Sequence, residues 1–218
     1  MAGLMAAPPA ALESARDRQD RGALEKLAAE AAAAAEKAPK DAEAQYRAAL
    51  AASYQAEVAL ELRDKRAAQQ AAEQGVKAAD RAIAIAPANA EYHRILGTLC
   101  GQIVPANVLA GLSYGKRARE AIARAIEKDP KSSRAWMARG VGNYYLPPAF
   151  GGGVPQAISD FRKALELDPK NAEAYLWLGL GLRKEQKNGE ARKAFEQSLR
   201  LNPDRVWTKQ QLEKTPAQ

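Results

Sequence analysis

Apolar positions along this chain recur every three to four residues, and no stretch shows strand-like alternation of Val, Ile, Thr and aromatics with polar residues. The pattern therefore predicts helices throughout. Alanine carries much of the apolar content, in runs such as Ala31 to Ala35. It is the best helix former, and its small size lets helices approach closely. A set of large and small residues also returns at intervals. Trp136, Gly140, Ala157, Phe161 and Pro169 in one stretch come back as Tyr175, Gly179, Ala191, Phe195 and Pro203 in the next. In the second stretch, 34 residues from Ala172 to Arg205, Tyr175, Leu178, Gly179 and Leu182 fall on a first helix, A. Ala191, Phe195 and Ser198 fall on a second, B, and Pro203 closes the unit. Gly179 and Ala191 are small where the two helices are expected to cross.

A bulky residue, then Leu-Gly, then Ala and Phe, then Pro, over about 34 residues, resembles the tetratricopeptide repeat. The resemblance is most specific in the last two units and extends over two more. It implies an all-α, right-handed α-solenoid of antiparallel helix pairs, with about four units. The predicted organisation places a disordered segment or signal-peptide stub at 1–10 and a degenerate helical unit at 11–41. A unit with elongated helices follows at 42–89, one with an apolar inserted turn at 90–132, and one with a Pro/Gly inserted turn at 133–171. A regular unit covers 172–205, and a capping helix and tail cover 206–218. Asp41, Asn89, Ser132 and Asn171 each precede a helix A and suit its N-cap. Glu43, Glu91 and Glu173 follow in the first turn, where the helix dipole favours negative charge.

The insertions individualise the chain. From Leu182 to Ala191 the A-to-B spacing is 9 residues, but it is 14 from Asn143 to Ala157, 18 from Cys100 to Ala118 and 23 from Ala52 to Gly75. All the excess falls in A–B turns, which stacking would line up along one edge as a binding rim. The longest insert stays helix-forming and predicts two helices each longer by about two turns. The middle one is apolar and includes Leu109 and Leu112. The third reads Leu146-Pro147-Pro148-Ala149-Phe150-Gly151-Gly152-Gly153-Val154 and excludes regular helix. Beside it, Arg139 and Asn143 occupy positions where leucine and tyrosine are usual. Both are expected to point inward and bond loop carbonyls between Leu146 and Gly153. Tyr145-Leu146-Pro147-Pro148 with Phe150-Gly151-Gly152 looks like the T component of TRAP-type transporters. A similar turn occurs in other tetratricopeptide proteins, including regulators of microtubule dynamics. The T-component resemblance implies a periplasmic, often lipid-anchored partner of a solute-binding protein, yet no lipobox cysteine accompanies it, since Cys100 is mid-chain.

In the tetratricopeptide family, helix-A positions 2, 5, 9, 12 and 13 line the concave face. Here they give an apolar and aromatic groove of Tyr46, Leu50, Met137, Val141, Tyr144, Leu176 and Leu180, with Arg94 as a central cation. Arg94 either meets a partner's carboxylate or pairs with Glu91 or Glu43. The groove is either open, or covered by the N-terminal helix Leu12 to Ala38 or the long helices of 42–86. Pro147, Pro148 and Phe150, with Leu109 and Leu112, form the rim. The basic and asparagine residues needed to grip a peptide carboxylate are missing.

Charge changes the picture little. The net charge is +7, with a basic stretch from Lys116 to Arg139 of eight cations against three carboxylates. It reads as a solvated face ahead of a nucleic-acid or membrane surface, because no aromatics interleave these charges at positions a stacking platform would need. The only histidine, His93, takes the bulky position of its helix, and the only cysteine, Cys100, a core position, so neither suggests a metal, cofactor or catalytic set. No apolar run approaches a membrane span. The reading is a non-catalytic module binding an apolar helix or peptide of a protein partner. The alternative is a transporter accessory holding a hydrophobic small ligand or a solute-binding protein. The compartment is periplasmic if an upstream signal peptide has been removed, and cytoplasmic otherwise.

Overall fold

The computed structural model describes residues 9–105 and 111–217, the side chains of Pro9 and Leu112 excepted. Leu109, the Leu112 side chain and the predicted leader before Pro9 lie outside the described residues. These form eleven α-helices and no strand, in two compact units, Met1–Lys128 and Asp129–Gln218.

The first unit holds α1 (Pro9–Asp17), α2 (Arg21–Lys37), α3 (Ala42–Glu61), α4 (Lys65–Ile85), α5 (Ala90–Ile103) and α6 (Gly111–Lys128). Consecutive helices pack in antiparallel pairs, and α1, α3 and α5 also touch in series. Helix α1 starts at Pro9, inside the segment read as a leader, with a proline that suits a helix's first turn. Helices α3 and α4 run 20 and 21 residues, against 13 and 14 for the regular pair, so the insert lengthens both by two turns. Alanines 49, 51, 56, 68, 72, 79 and 82 are almost fully buried here, so close approach of alanine-lined helices takes the place of large side chains.

The second unit holds α7 (Ser133–Tyr145), a 3-10 turn (Pro148–Phe150), α8 (Val154–Leu167), α9 (Ala172–Lys184), α10 (Asn188–Leu201) and α11 (Val206–Glu213). Its core gathers Val154, Ile158, Leu176, Leu180, Leu182 and Phe195. The glycines of the A helices make room for rings. A Cβ on Gly140 would lie 2.5 Å from the Phe161 ring, and one on Gly179 2.6 Å from Phe195. The small residue is required by the facing phenylalanine rather than by contact of two backbones. Helix α11 is more than a solvating cap. Thr208 and Gln211 are buried, and Arg183 donates to the Gln211 carbonyl at 3.1 Å and its Oε1 at 2.8 Å. Arg192 reaches the Leu212 and Thr215 carbonyls.

Asp41, Asn89, Ser132 and Asn171 each accept a backbone N–H of the following first turn. Asp20 and Asp64 do the same ahead of α2 and α4. They sit in turns of one kind. In Gln19, Arg63 and Gln186 the backbone is left-handed, with φ of 54°, 64° and 61°. In each turn the following N–H reaches back five residues, Asp20 to Ala15, Asp64 to Ala59 and Lys187 to Leu182. This is the Schellman closure, which glycine normally serves because a Cβ is strained there. Gln186→Gly is therefore expected to raise stability by roughly 0.5–1 kcal/mol in urea unfolding. No gain would mean the Gln186 side chain contributes as much as its backbone costs. In the first unit the α1–α2 and α3–α4 turns are bridged, Gln19 to Glu61 at 2.8 Å and Arg21 to Asp64 at 2.9 Å.

Candidate partner-binding surface

The predicted groove residues divide by unit. In the first, Leu50 is buried in the core that also contains Leu12 and Leu24. Arg94 is only 7% exposed, and Glu91 takes it through two bonds of 2.8 and 2.6 Å. Tyr46 donates its hydroxyl to the same carboxylate at 2.9 Å and stacks on Tyr92 with centroids 5.3 Å apart. Burial would depress the guanidinium, but the Glu91 carboxylate outweighs it and holds Arg94 above the ordinary arginine value. A cation so engaged is a strut between turns of α5, and of the readings open for Arg94 the pairing with Glu91 is the one found. Beside it, the Arg16 guanidinium of α1 lies 4.9 Å over the Tyr54 ring. On this face of the first unit α1 thus contributes to a polar and aromatic layer.

In the second unit Leu176 and Leu180 are also buried, contrary to their expected place on an open groove. Tyr144, Trp177 and Trp207 pack against the cluster to which they belong. What remains partly open is Met137, Val141 and Tyr144 on α7. The residues missed from sequence stand next to them. Tyr145, Tyr144, Trp177 and Trp207 make a chain of edge-on rings from α7 through α9 to α11, with centroids 5.1, 5.8 and 5.6 Å apart along it. Edge-to-face geometry at these spacings is favourable beyond the area it buries. Tyr145 is 60% exposed, while burial pushes the Tyr144 hydroxyl above the usual tyrosine value, opposed by Arg183. The Lys184 ammonium sits 4.4 Å from the Tyr144 ring centre, adding a cation at the edge of the row. Trp177 escaped detection because it occupies the sixth helix-A position, outside the family's concave set. The signal available was that all three tryptophans of an aromatic-poor chain, Trp136, Trp177 and Trp207, fall after residue 130.

The inserted turn also differs from expectation. Arg139 and Asn143 do not bond its carbonyls with their side chains. They converge on the Asp160 carboxylate of α8, Arg139 at 2.6–3.1 Å and Asn143 at 2.8 Å. Asp160 is 4% exposed, and a carboxylate buried there needs donors, which these two side chains supply. The Arg139 guanidinium lies 4.1 Å over the Trp136 ring. The turn is held instead by backbone bonds, including Gly153 N–H to the Asn143 carbonyl at 2.9 Å. It leaves Pro147, Pro148 and Phe150 exposed.

His93 is buried, and its Nε2 lies 2.9 Å from the Pro87 carbonyl. Cys100 is fully buried, and burial pushes its thiol up to about 11. Among the described residues, no group of three or more His, Cys, Asp or Glu is placed to hold a metal, and no helix is long and apolar enough to cross a membrane.

Comparison with known proteins follows the repeats. Residues 151–180 match a TPR repeat and 172–205 a tetratricopeptide repeat. Among solved structures, TTC0263, a thermophilic TPR protein in Thermus thermophilus, superposes with a TM-score of 0.65 at 17% identity, over 88% of this chain and 90% of its own. MamA from Desulfovibrio magneticus gives 0.47 at 17% identity, over 89% and 95%. YrrB, a TPR protein with an unusual peptide-binding site, gives 0.42 at 21% identity, over 87% and 83%. At these identities the likeness to TTC0263 shows the tetratricopeptide fold alone. No curated protein matches the sequence. Nothing among these findings supports the resemblance to the T component. Residues 11–146, more than half of the chain, match the description regulator of microtubule dynamics protein 1-3, and the chain belongs to that family.

Proposed function

We propose that the chain is a non-catalytic interaction module that holds an apolar helix or extended peptide of a protein partner against Met137, Val141, Tyr144 and Tyr145. The observation that carries this reading is the ring row, partly open along α7 and ending in an exposed Tyr145, with Lys184 over the Tyr144 ring. Half-open aromatics backed by a packed core supply large contact area at small entropic cost, as in helix-in-groove and extended-peptide recognition. The family name points to the regulation of microtubule dynamics, and on this reading the chain takes part in it by binding rather than by chemistry. His93 and Cys100, both buried, favour that reading over an enzyme. The small-ligand alternative rested on the T-component resemblance and has no observation behind it.

A random peptide library panned on the full chain tests the reading. Enriched peptides should carry two or more aromatic or aliphatic residues, and Tyr145→Ala should weaken them at least tenfold with thermal unfolding unchanged. Met137→Asp should do the same through an unpaired charge on the apolar face. Absence of enrichment, or peptides indifferent to both substitutions, would refute it.

A further inference from the structure

The turn between α7 and α8 is specified by its backbone at nearly every position. Pro147 and Pro148 fix their own φ. Gly151 and Gly153 have φ of 82° and 119°, where a side chain is strained. Gly152 passes so close to Leu146 that a Cβ would lie 2.4 Å from its carbonyl oxygen. The amides of Phe150, Gly151 and Gly152 close on the carbonyls of Pro147 and Pro148, and Gly153 closes on Asn143. The turn is therefore a built platform.

None of these requirements falls on the side chain of Phe150. Its backbone sits in an ordinary 3-10 turn that any polar residue would satisfy. Yet the platform carries a phenylalanine that is 72% exposed, with Tyr145 at 60% nearby in sequence and Pro147, Pro148 and Ala149 exposed between them. A single exposed apolar residue needs no explanation, but a run of them on a rigid turn does. The electrostatics of the same segment are one-sided. The thirty residues between Asp129 and Asp160 contain no Asp or Glu, but hold Lys131, Arg134 and Arg139. Asp160 is buried beneath Arg139 and Asn143. Lys184 adds a cation where its ammonium meets the Tyr144 carbonyl at 3.4 Å. Residues 129–218 as a whole carry 15 Lys and Arg against 10 Asp and Glu, a balance of +5.

We propose that the Pro147–Gly153 turn is a docking element, with Phe150 as the anchor that enters an apolar pocket edged by carboxylates on a folded protein partner. Apolar contact at the tip supplies affinity, and Lys184, reaching the end of α7 where the turn begins, with the unit's balance of +5, selects an acidic surface and excludes basic ones. The platform is what makes a lone phenylalanine useful, because a side chain held in place loses little freedom on binding. Its anchor, Phe150, is not part of the peptide surface on α7, so either can fail without the other.

A photo-crosslinking amino acid, p-benzoylphenylalanine, placed at position 150 of the full chain in its native cells tests it, with the same probe at exposed Glu196 as the control. The expected product is a crosslink absent from the control. Mapped by mass spectrometry, it should fall in an apolar pocket of another protein with Asp or Glu at its edge. With that protein purified, Phe150→Ala should weaken binding at least tenfold. Gly152→Ala should weaken it comparably although Phe150 remains, because the platform is displaced. Both variants should keep the wild-type helical content, and Phe150→Ala should leave the affinity of α7-surface peptides unchanged. Four results each overturn the proposal. They are crosslinking no stronger than the control, lipid as the sole product, a second copy of this chain as the sole product, and a mapped partner that binds Phe150→Ala as well as the wild type.

Discussion

Replacing Arg205 with alanine is expected to lower the stability of the 129–218 unit by about 3–5 kcal/mol. Arg205 is fully buried, directly before α11, with its Nε donating to Glu173 at 2.9 Å and its guanidinium 5.6 Å from the Trp207 ring centre. Two charges taken out of water are tolerable while they satisfy each other. Removing one strands its partner, and that penalty exceeds the net worth of the pair. Glu173→Ala should likewise be costly, since it takes the carboxylate from a guanidinium that is the more deeply buried of the two. Replacing both with methionine should cost far less than the sum of the single changes. Urea unfolding followed by tryptophan emission measures all three, because Trp177 and Trp207 lie in the affected region. A loss under 1 kcal/mol for Arg205→Ala would show that the pair with Glu173 is not what holds α11.

Phe161→Ala is expected to cost about 3–5 kcal/mol, in the range for emptying a fully buried ring site. The ring fills the space over Gly140, and Trp177 lies at 6.3 Å on its other side. The geometry also predicts a coupling. Gly140→Ala should cost about 1–3 kcal/mol in the wild type by overpacking. In the Phe161→Ala background it should cost much less, because the added methyl enters the vacated volume. Equal costs in the two backgrounds would mean that something other than the ring keeps position 140 small.

The helix pairs were legible because each rests on a size rule that sequence records directly. A glycine on helix A paired with a phenylalanine on helix B leaves the same mark whether read as letters or as Gly140 under Phe161. The caps were legible for a similar reason, since an Asp or Asn before an apolar stripe acts locally. Asp20 and Asp64 went unread because no proline or repeat boundary drew attention to their turns. The surface was less legible because exposure depends on neighbours. Leu176 and Leu180 hold concave positions by register, but rings from α7 and α11 pack over the cluster they belong to. For Arg94 the spacing left a partner's carboxylate, Glu91 and Glu43 all open, and the carboxylate three residues before it is the one found. Asn143 and Arg139 were recognised as inward polar groups, but their acceptor, Asp160, lies on the next helix, out of reach of local spacing.

The way the A–B turns close has a consequence for remodelling this chain. At Gln186 the turn completes its own backbone bonds, and at Asn143 a single bond from Gly153 draws the two ends of a ten-residue detour together. In both cases the helices behave as though the connecting segment were one short link, whatever its length. Extending a loop whose ends are already held costs little, since closure entropy grows only with the logarithm of length. The Lys187–Asn188 step, just past the bond from Lys187 to Leu182 in the regular repeat that carries no insert, is thus a natural splice point. A foreign epitope or reporter placed there would hang from a finished turn, leaving the ring row and the Phe150 platform as they are.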